Sequence, residues 1–232
     1  MDGGTLGLLL ARAKEGDADA RNTLVEAHRS FIFNVVVSSC RRMLQWGRDD
    51  ELSIGLIAFD EAVTRYEPER NVPFLAFARL VIKSRLANYF RQEVRRLSSG
   101  ATNISEENLL DDTAAAWTEF LWDRSAQDRA EEIQDYEEAL SEFGISLDEL
   151  VHLSPKHRDS RMALIGAAKA LAVENELFQR FGRKERLPVK KVSVKTGLSP
   201  KVIEKNRKYL LALAIIFRHP DRFIYLNSYI KR

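Results

Sequence analysis

Cysteine occurs once in the 232 residues, at Cys40. An intramolecular disulfide is therefore excluded, and a cysteine-based zinc site is disfavoured. Cys40 closes the apolar run 31–40 and reads as a small buried residue. The four histidines, His28, His152, His157 and His219, form no pair at the helical spacing that ligates metal. No metal, cofactor or small-molecule ligand is expected. With six prolines, eleven glycines and few alternating β-branched runs, the chain reads as all-α. No apolar stretch approaches the length of a membrane span, and the short patch 6–10 has no basic region before it. The cytosol is the expected compartment. A glycine-rich phosphate loop and a Ser/His/Asp constellation are also missing, so no enzymatic activity is expected. The paired acids Asp49-Asp50-Glu51 and Asp111-Asp112 read as helix caps.

The net charge of +2 excludes a uniformly basic coat. The charge is unevenly placed, however. Between 106 and 149 acids dominate, opposed only by Arg124 and Arg129; from 183 to 208 there are ten cations against Glu185 and Glu204. The acidic block reads either as solvated helix faces, as a surface for a basic partner or channel, or as a shield for the basic segment.

Helical periodicity predicts helices over 5–14, 17–42, about 49–66 and 73–96. In the third, Leu52, Leu56, Phe59 and Val63 form one stripe. Ile54 and Ile57 are left over, bordered by Asp50, Ser53, Asp60 and Glu61. Such a patch fits either a protein-binding face or a helix buried on two sides. The fourth combines Phe74, Phe77, Ala78, Val81, Ile82, Leu86, Tyr89 and Phe90 with Arg79, Lys83, Arg85, Arg91, Arg95 and Arg96, against the single acid Glu93. Like charges spaced i, i+4 repel, and a polyanion would offset that. The aromatics could stack unpaired bases; the alternative is a solvated cationic face over an aromatic core.

The segment 187–200 has the grammar of a helix-turn-helix, extending over about 188–216. Pro188 suits a first helical position, with Val189, Val192 and Val194 facing inward. Gly197 suits the turn, and Ser199-Pro200 starts the second helix. Candidates for duplex contact are Lys195, Ser199, Lys201, Lys205, Arg207 and Lys208. Glu204 is able to accept from a cytosine amino group. Val202 and Ile203 belong to the packing side.

The run Asp50–Phe59, then Ala62-Val63-Thr64-Arg65-Tyr66-Glu67-Pro68-Glu69 and Val72-Pro73-Phe74, resembles region 2 of the sigma-70 family. Ala11, Gly16-Asp17, Ala20 and Leu24 resemble its lead-in helices. The run from Gly197-Leu198-Ser199 through Ile203-Glu204, Asn206-Arg207-Lys208-Tyr209 and the tail 225–229 resembles the C-terminal domain of the sigma-I subfamily. The resemblance implies an alternative sigma factor with a region 2-like domain over 1–97, a linker at 98–112 and a C-terminal domain over 113–232. By the same resemblance, Asp50, Ser53, Ile54, Ile57, Asp60 and Glu61 would dock on bacterial RNA polymerase core. Phe77, Arg79, Lys83, Ser84, Arg85, Asn88 and Arg91 would read the −10 element of promoter DNA and hold the opened strand. The helix-turn-helix would read the −35 element, and a membrane-anchored anti-sigma factor would be a further partner. One departure is plain: Leu80 and Val81 stand where housekeeping relatives carry a tryptophan pair that wedges the duplex. A helix-turn-helix regulator acting without polymerase is the alternative. It would need neither the Ile54/Ile57 patch nor the aromatic-basic helix.

Overall fold

The computed structural model describes residues 3–99, 114–174, 178 and 189–230, excepting the side chains of 3, 97–99 and 114–118. Every regular element among them is helical. They are α1 (Gly3–Lys14), α2 (Ala18–Ala27), α3 (Arg29–Cys40), α4 (Asp50–Arg65), a 3-10 turn at Pro68–Arg70, α5 (Phe74–Ser99), α6 (Ala114–Ser141), α7 (Leu147–Leu153), α8 (Arg158–Val173), α9 (Val189–Thr196), α10 (Pro200–Lys205), α11 (Arg207–Arg218) and α12 (Ile224–Ile230). They group into two compact units, Met1–Asp128 and Arg129–Arg232. The division falls inside α6. The expected linker at 98–112 lies outside the described residues apart from its first two positions, through which α5 continues. The expected start of the helix-turn-helix at Pro188 lies outside them too.

In the first unit α4 and α5 pack on α3 around Ile32, Val36, Leu52, Phe59, Val81 and Leu86, all essentially closed to solvent. Phe59 is the hub. Its ring lies 5.4 Å from Phe74 and 5.6 Å from His28. Close approach of α3 and α4 depends on Gly55, where an added Cβ would sit 2.5 Å from Val36 Cγ2. At the foot of α4 the Tyr66 hydroxyl donates to the Val72 carbonyl at 2.7 Å, fixing the turn into α5.

One long helix over 17–42 is not what forms. It breaks at His28 (φ −111°, ψ 13°), whose ring nitrogen meets the Leu24 carbonyl at 2.8 Å while its face stacks on Phe59. Periodicity does not register such a local side-chain-to-backbone bond. Asp49 is the N-cap of α4, but its carboxylate turns back to accept from Gln45 N at 2.7 Å and Arg42 Nη1 at 2.9 Å. Cys40 is half-buried rather than buried, and desolvation pushes its thiol above the usual range. Leu56 is only half-buried as well.

In the second unit α8 and α11 form the centre, with Leu164, Ala168 and Leu171 against Leu210, Leu211 and Ala214. The C-terminal half of α6 closes it. The Tyr136 hydroxyl donates to the Ala212 carbonyl at 2.9 Å, and its ring meets Phe223 at 5.4 Å. Glu132 is almost wholly buried and accepts from the backbone N–H of Ile224 at 3.0 Å and of Leu226 at 2.9 Å. It thereby supplies the first turn of α12 with acceptors that a helix start lacks internally. The partners of Glu132 lie over ninety residues away, so no local pattern names them.

Candidate nucleic-acid interface

On α4, Asp50, Ser53 and Ile57 lie on one exposed face with half-buried Ile54. Ile57 is 69% exposed, an aliphatic side chain left largely in solvent. The same helix buries Leu52, Phe59 and Val63 of the expected stripe, whereas Leu56 of that stripe and Ile54 of the spare pair are both half-buried, so the two faces separate only in part. Asp60 and Glu61 are occupied internally. Asp60 accepts from Arg21 at 2.7 Å, and Glu61 takes both Arg85 nitrogens at 2.7 and 2.6 Å.

The α5 candidates divide into two groups. Lys83 and Arg91 are exposed, and Ser84 and Asn88 half-exposed. Arg91 donates to Asn88 Oδ1 at 2.5 Å, which pre-orients both at the surface. Phe77, Arg79 and Arg85 are held inside. Phe77 is fully buried and stacked on Trp122, with ring centroids 4.2 Å apart and planes 12° apart. Arg79 is buried, and its Nη2 donates to Asp128 at 2.7 Å. A guanidinium inside a low-dielectric interior needs such a carboxylate partner. Arg79 is therefore not part of the solvated cationic face that the sequence suggested. The accessible aromatic on this helix is Phe90, beside exposed Val94, Arg91 and Arg95. Leu80 and Val81, at the tryptophan-wedge positions, are core residues.

The helix-turn-helix forms from α9 and α10. Gly197 takes φ +71°, as the tight turn requires of glycine, and Ser193 Oγ donates to the Leu198 carbonyl at 2.6 Å. Ser199 caps α10, its hydroxyl accepting from Val202 N, with Pro200 at the first position. The second helix is shorter than expected. It stops at Asn206 (φ −106°, ψ 21°), where Asn206 Nδ2 donates to the Val202 carbonyl at 2.8 Å. Lys201, Glu204 and Lys205 project from α10 into solvent, whereas Arg207 and Lys208 belong to α11. Burial pulls the half-buried Arg207 below its ordinary range. Two expectations about valines are corrected: Val194 is 88% exposed and Val202 is exposed too, so only Val189, Val192 and Ile203 face inward.

Acids answer some of these cations within the second unit. Glu174 pairs with Lys195, and Glu149 takes Lys208 at 2.7 Å through both oxygens. The Lys208 bond holds the Glu149 carboxyl below the usual carboxylate range. Among the described residues neither Lys201 nor Lys205 has a carboxylate within ion-pair distance. In the first unit the acidic block also acts locally, with Glu119 on Arg70 at 2.9 Å and Asp128 on Arg79. No group of three or more His, Cys, Asp or Glu capable of holding a metal occurs among the described residues. None of the described helices is long and apolar enough to cross a membrane.

Comparison with known proteins bears on both units. Residues 24–96 match the family described as Sigma-70 region 2. The RNA polymerase sigma factor SigI of Bacillus subtilis strain 168 is 36% identical over 234 residues, spanning 98% of this chain and 92% of its own length. SigI of Bacillus anthracis is 33% identical, spanning 94% of this chain and 89% of its own length. SigI3 of Acetivibrio thermocellus is 30% identical, spanning 94% of this chain and 87% of its own length.

Proposed function

The chain belongs to the SigI group of the sigma-70 family, and from that premise we propose how its two units divide the work of an alternative sigma factor. A sigma factor is a non-catalytic initiation factor that binds RNA polymerase core and directs it to promoter DNA. The exposed α4 face around Ile57, with Asp50, Ser53 and Ile54, is the docking surface for core. Exposed Ile57 beside half-buried Ile54, rimmed by Asp50 and Ser53, makes a small apolar patch that a protein partner can cover. On α5, Lys83, Ser84, Asn88 and Arg91 face the −10 element, and Phe77 and Arg79 complete the site for the opened strand. The start of α10, with Lys201, Glu204 and Lys205, enters the major groove at the −35 element. Ser199, Lys195, Arg207 and Lys208 position it. A membrane-anchored anti-sigma factor, acting on this chain in the cytosol, completes the scheme implied by the family.

The observation that carries this division is the presence of two exposed cationic helix faces, one in each compact unit, together with the exposed Ile57 on α4 of the first. A regulator acting without polymerase has no use for Ile57. Reconstituted run-off transcription with bacterial core polymerase tests the scheme. The wild-type chain copurifies with core and initiates at promoter fragments. Ile57→Glu loses core binding, while Lys205→Glu keeps it and loses upstream promoter contact. Wild-type core affinity in Ile57→Glu would reject the α4 interface.

A further inference from the structure

Part of the α5 site assigned above to the opened strand is occupied, at Phe77, at Arg79 and beside Lys83. Its occupant is the stretch 119–128 at the amino-terminal side of α6. Trp122 lies flat on Phe77, with centroids 4.2 Å apart and planes 12° apart, the geometry in which a base stacks on an aromatic side chain. Asp128 sits 2.7 Å from Arg79 Nη2 and 3.8 Å from Lys83 Nζ, where a phosphate oxygen would be held. Glu119 does the same to Arg70 at 2.9 Å, and the Arg70 guanidinium lies 5.7 Å from the Trp122 ring. A flat aromatic flanked by anions thus meets a flat aromatic flanked by cations. The fit has one flaw. The buried Nε1–H of Trp122 finds no acceptor among the described residues. A permanent core tryptophan normally has one, and a displaceable occupant can do without it.

We propose that residues 119–128 are an internal mimic of single-stranded DNA, with Trp122 standing for an unstacked base and Asp128 for a phosphate. The mimic keeps the strand site of the free chain closed, and the opened strand displaces it in the polymerase complex. This rests on the reading that the Phe77, Arg79 and Lys83 side chains of α5 take the opened strand. The chemistry is exchange without net cost in pairing: Arg79 and Lys83 trade a carboxylate for a phosphate, and Phe77 trades an indole for a base.

The test uses the full chain without core polymerase. The probe is a labelled single-stranded oligonucleotide covering the −10 region of a promoter that the holoenzyme transcribes. Trp122→Ala and the near-isosteric Asp128→Asn each bind it at least tenfold tighter than wild type, with duplex binding unchanged. Wild-type affinity in both variants would overturn the mimic. A chain with Trp46→Phe and Trp117→Phe retains Trp122 as its one tryptophan. Its emission shifts to longer wavelength and becomes quenchable by iodide when a saturating excess of the single-stranded oligonucleotide is added; an unchanged spectrum at saturation also overturns the proposal. Lys83→Glu in the holoenzyme separates the two levels. If it still opens promoters, the strand-site reading itself fails. If it blocks opening while the Trp122 and Asp128 variants gain nothing, only the mimic fails.

Discussion

Asp128 and Glu132 stand four residues apart on α6, one in each compact unit, and both are nearly closed to solvent, at 5% and 3% exposure. Their partners differ in kind. Asp128 faces side chains, the Arg79 guanidinium and the Lys83 ammonium. Glu132 faces backbone, the N–H groups of Ile224 and Leu226. Long cationic side chains can follow a departing carboxylate into water or onto a phosphate. Backbone amides at the first turn of a helix cannot move, and without the carboxylate they stay buried and unmet. Glu132 is thus committed to its fold, whereas Asp128 is exchangeable. Buried carboxylates with equal exposure need not be equally permanent; the mobility of the partner decides.

The largest effect tests the committed member. Glu132→Ala lowers the unfolding free energy of the second unit by about 2–4 kcal/mol, since two buried donors lose their acceptor. Urea unfolding followed by circular dichroism measures it, and a loss below about 0.5 kcal/mol, the range of ordinary surface changes, would show that the amides find other acceptors. The next effect falls on the open cationic face. Lys205→Glu weakens binding to −35 duplex by about 1–3 kcal/mol, or roughly tenfold to a hundredfold, and flattens the salt dependence, with an unchanged unfolding midpoint. Fluorescence anisotropy across a salt series reads both quantities. Equal affinity for the variant would move the duplex contact away from α10.

The third prediction bears on the exchangeable member. Removing one partner of a buried ion pair generally costs about 3–5 kcal/mol. For Asp128→Ala the expected cost is about 1 kcal/mol, because the stretch 119–128 can lift and let Arg79 and Lys83 regain water. A cost near the general value would mean that the contact is permanent, and the contrast with Glu132 would disappear.

Much of the architecture was legible in the sequence because it is written in local periodicity. Leu52, Phe59 and Val63 of the expected stripe are buried and Leu56 half-buried, Ile57 is left outside, and the Gly197 and Ser199-Pro200 punctuation forms the turn and cap that those residue types favour. The kinks at His28 and Asn206 were not legible, since each depends on a side chain bonding to a carbonyl four residues earlier. The burial of Phe77 and Arg79 was not legible for a different reason. Their covers, Trp122 and Asp128, are more than forty residues away, and no local pattern joins them. A signal was present nonetheless. Leu121, Ser125, Asp128, Glu132 and Tyr136 recur at helical spacing and are all buried, so two acids lie on the core stripe of α6. Acids on an apolar stripe call for buried partners, whereas acids elsewhere in the block can remain solvated.

The smallest effect concerns the acids that answer the helix-turn-helix itself. Glu149 holds Lys208 through both oxygens at the surface of the second unit. Exposed pairs contribute little to stability, so Glu149→Gln leaves the unfolding midpoint where it was. It releases Lys208 for a phosphate, and duplex affinity rises by about threefold or less, a gain that vanishes at high salt. The pH response has a definite sign. Lys208 keeps the Glu149 carboxyl below its ordinary range, so the pair is intact above the usual carboxylate values and is lost as pH falls through the lowered one. Between about pH 8 and pH 5, therefore, wild type and Glu149→Gln differ by a constant factor in duplex affinity. Equal affinity of wild type and Glu149→Gln across this range would show that Lys208 never reaches the DNA, and a difference that closed well before the carboxylate range would assign it to a group other than Glu149.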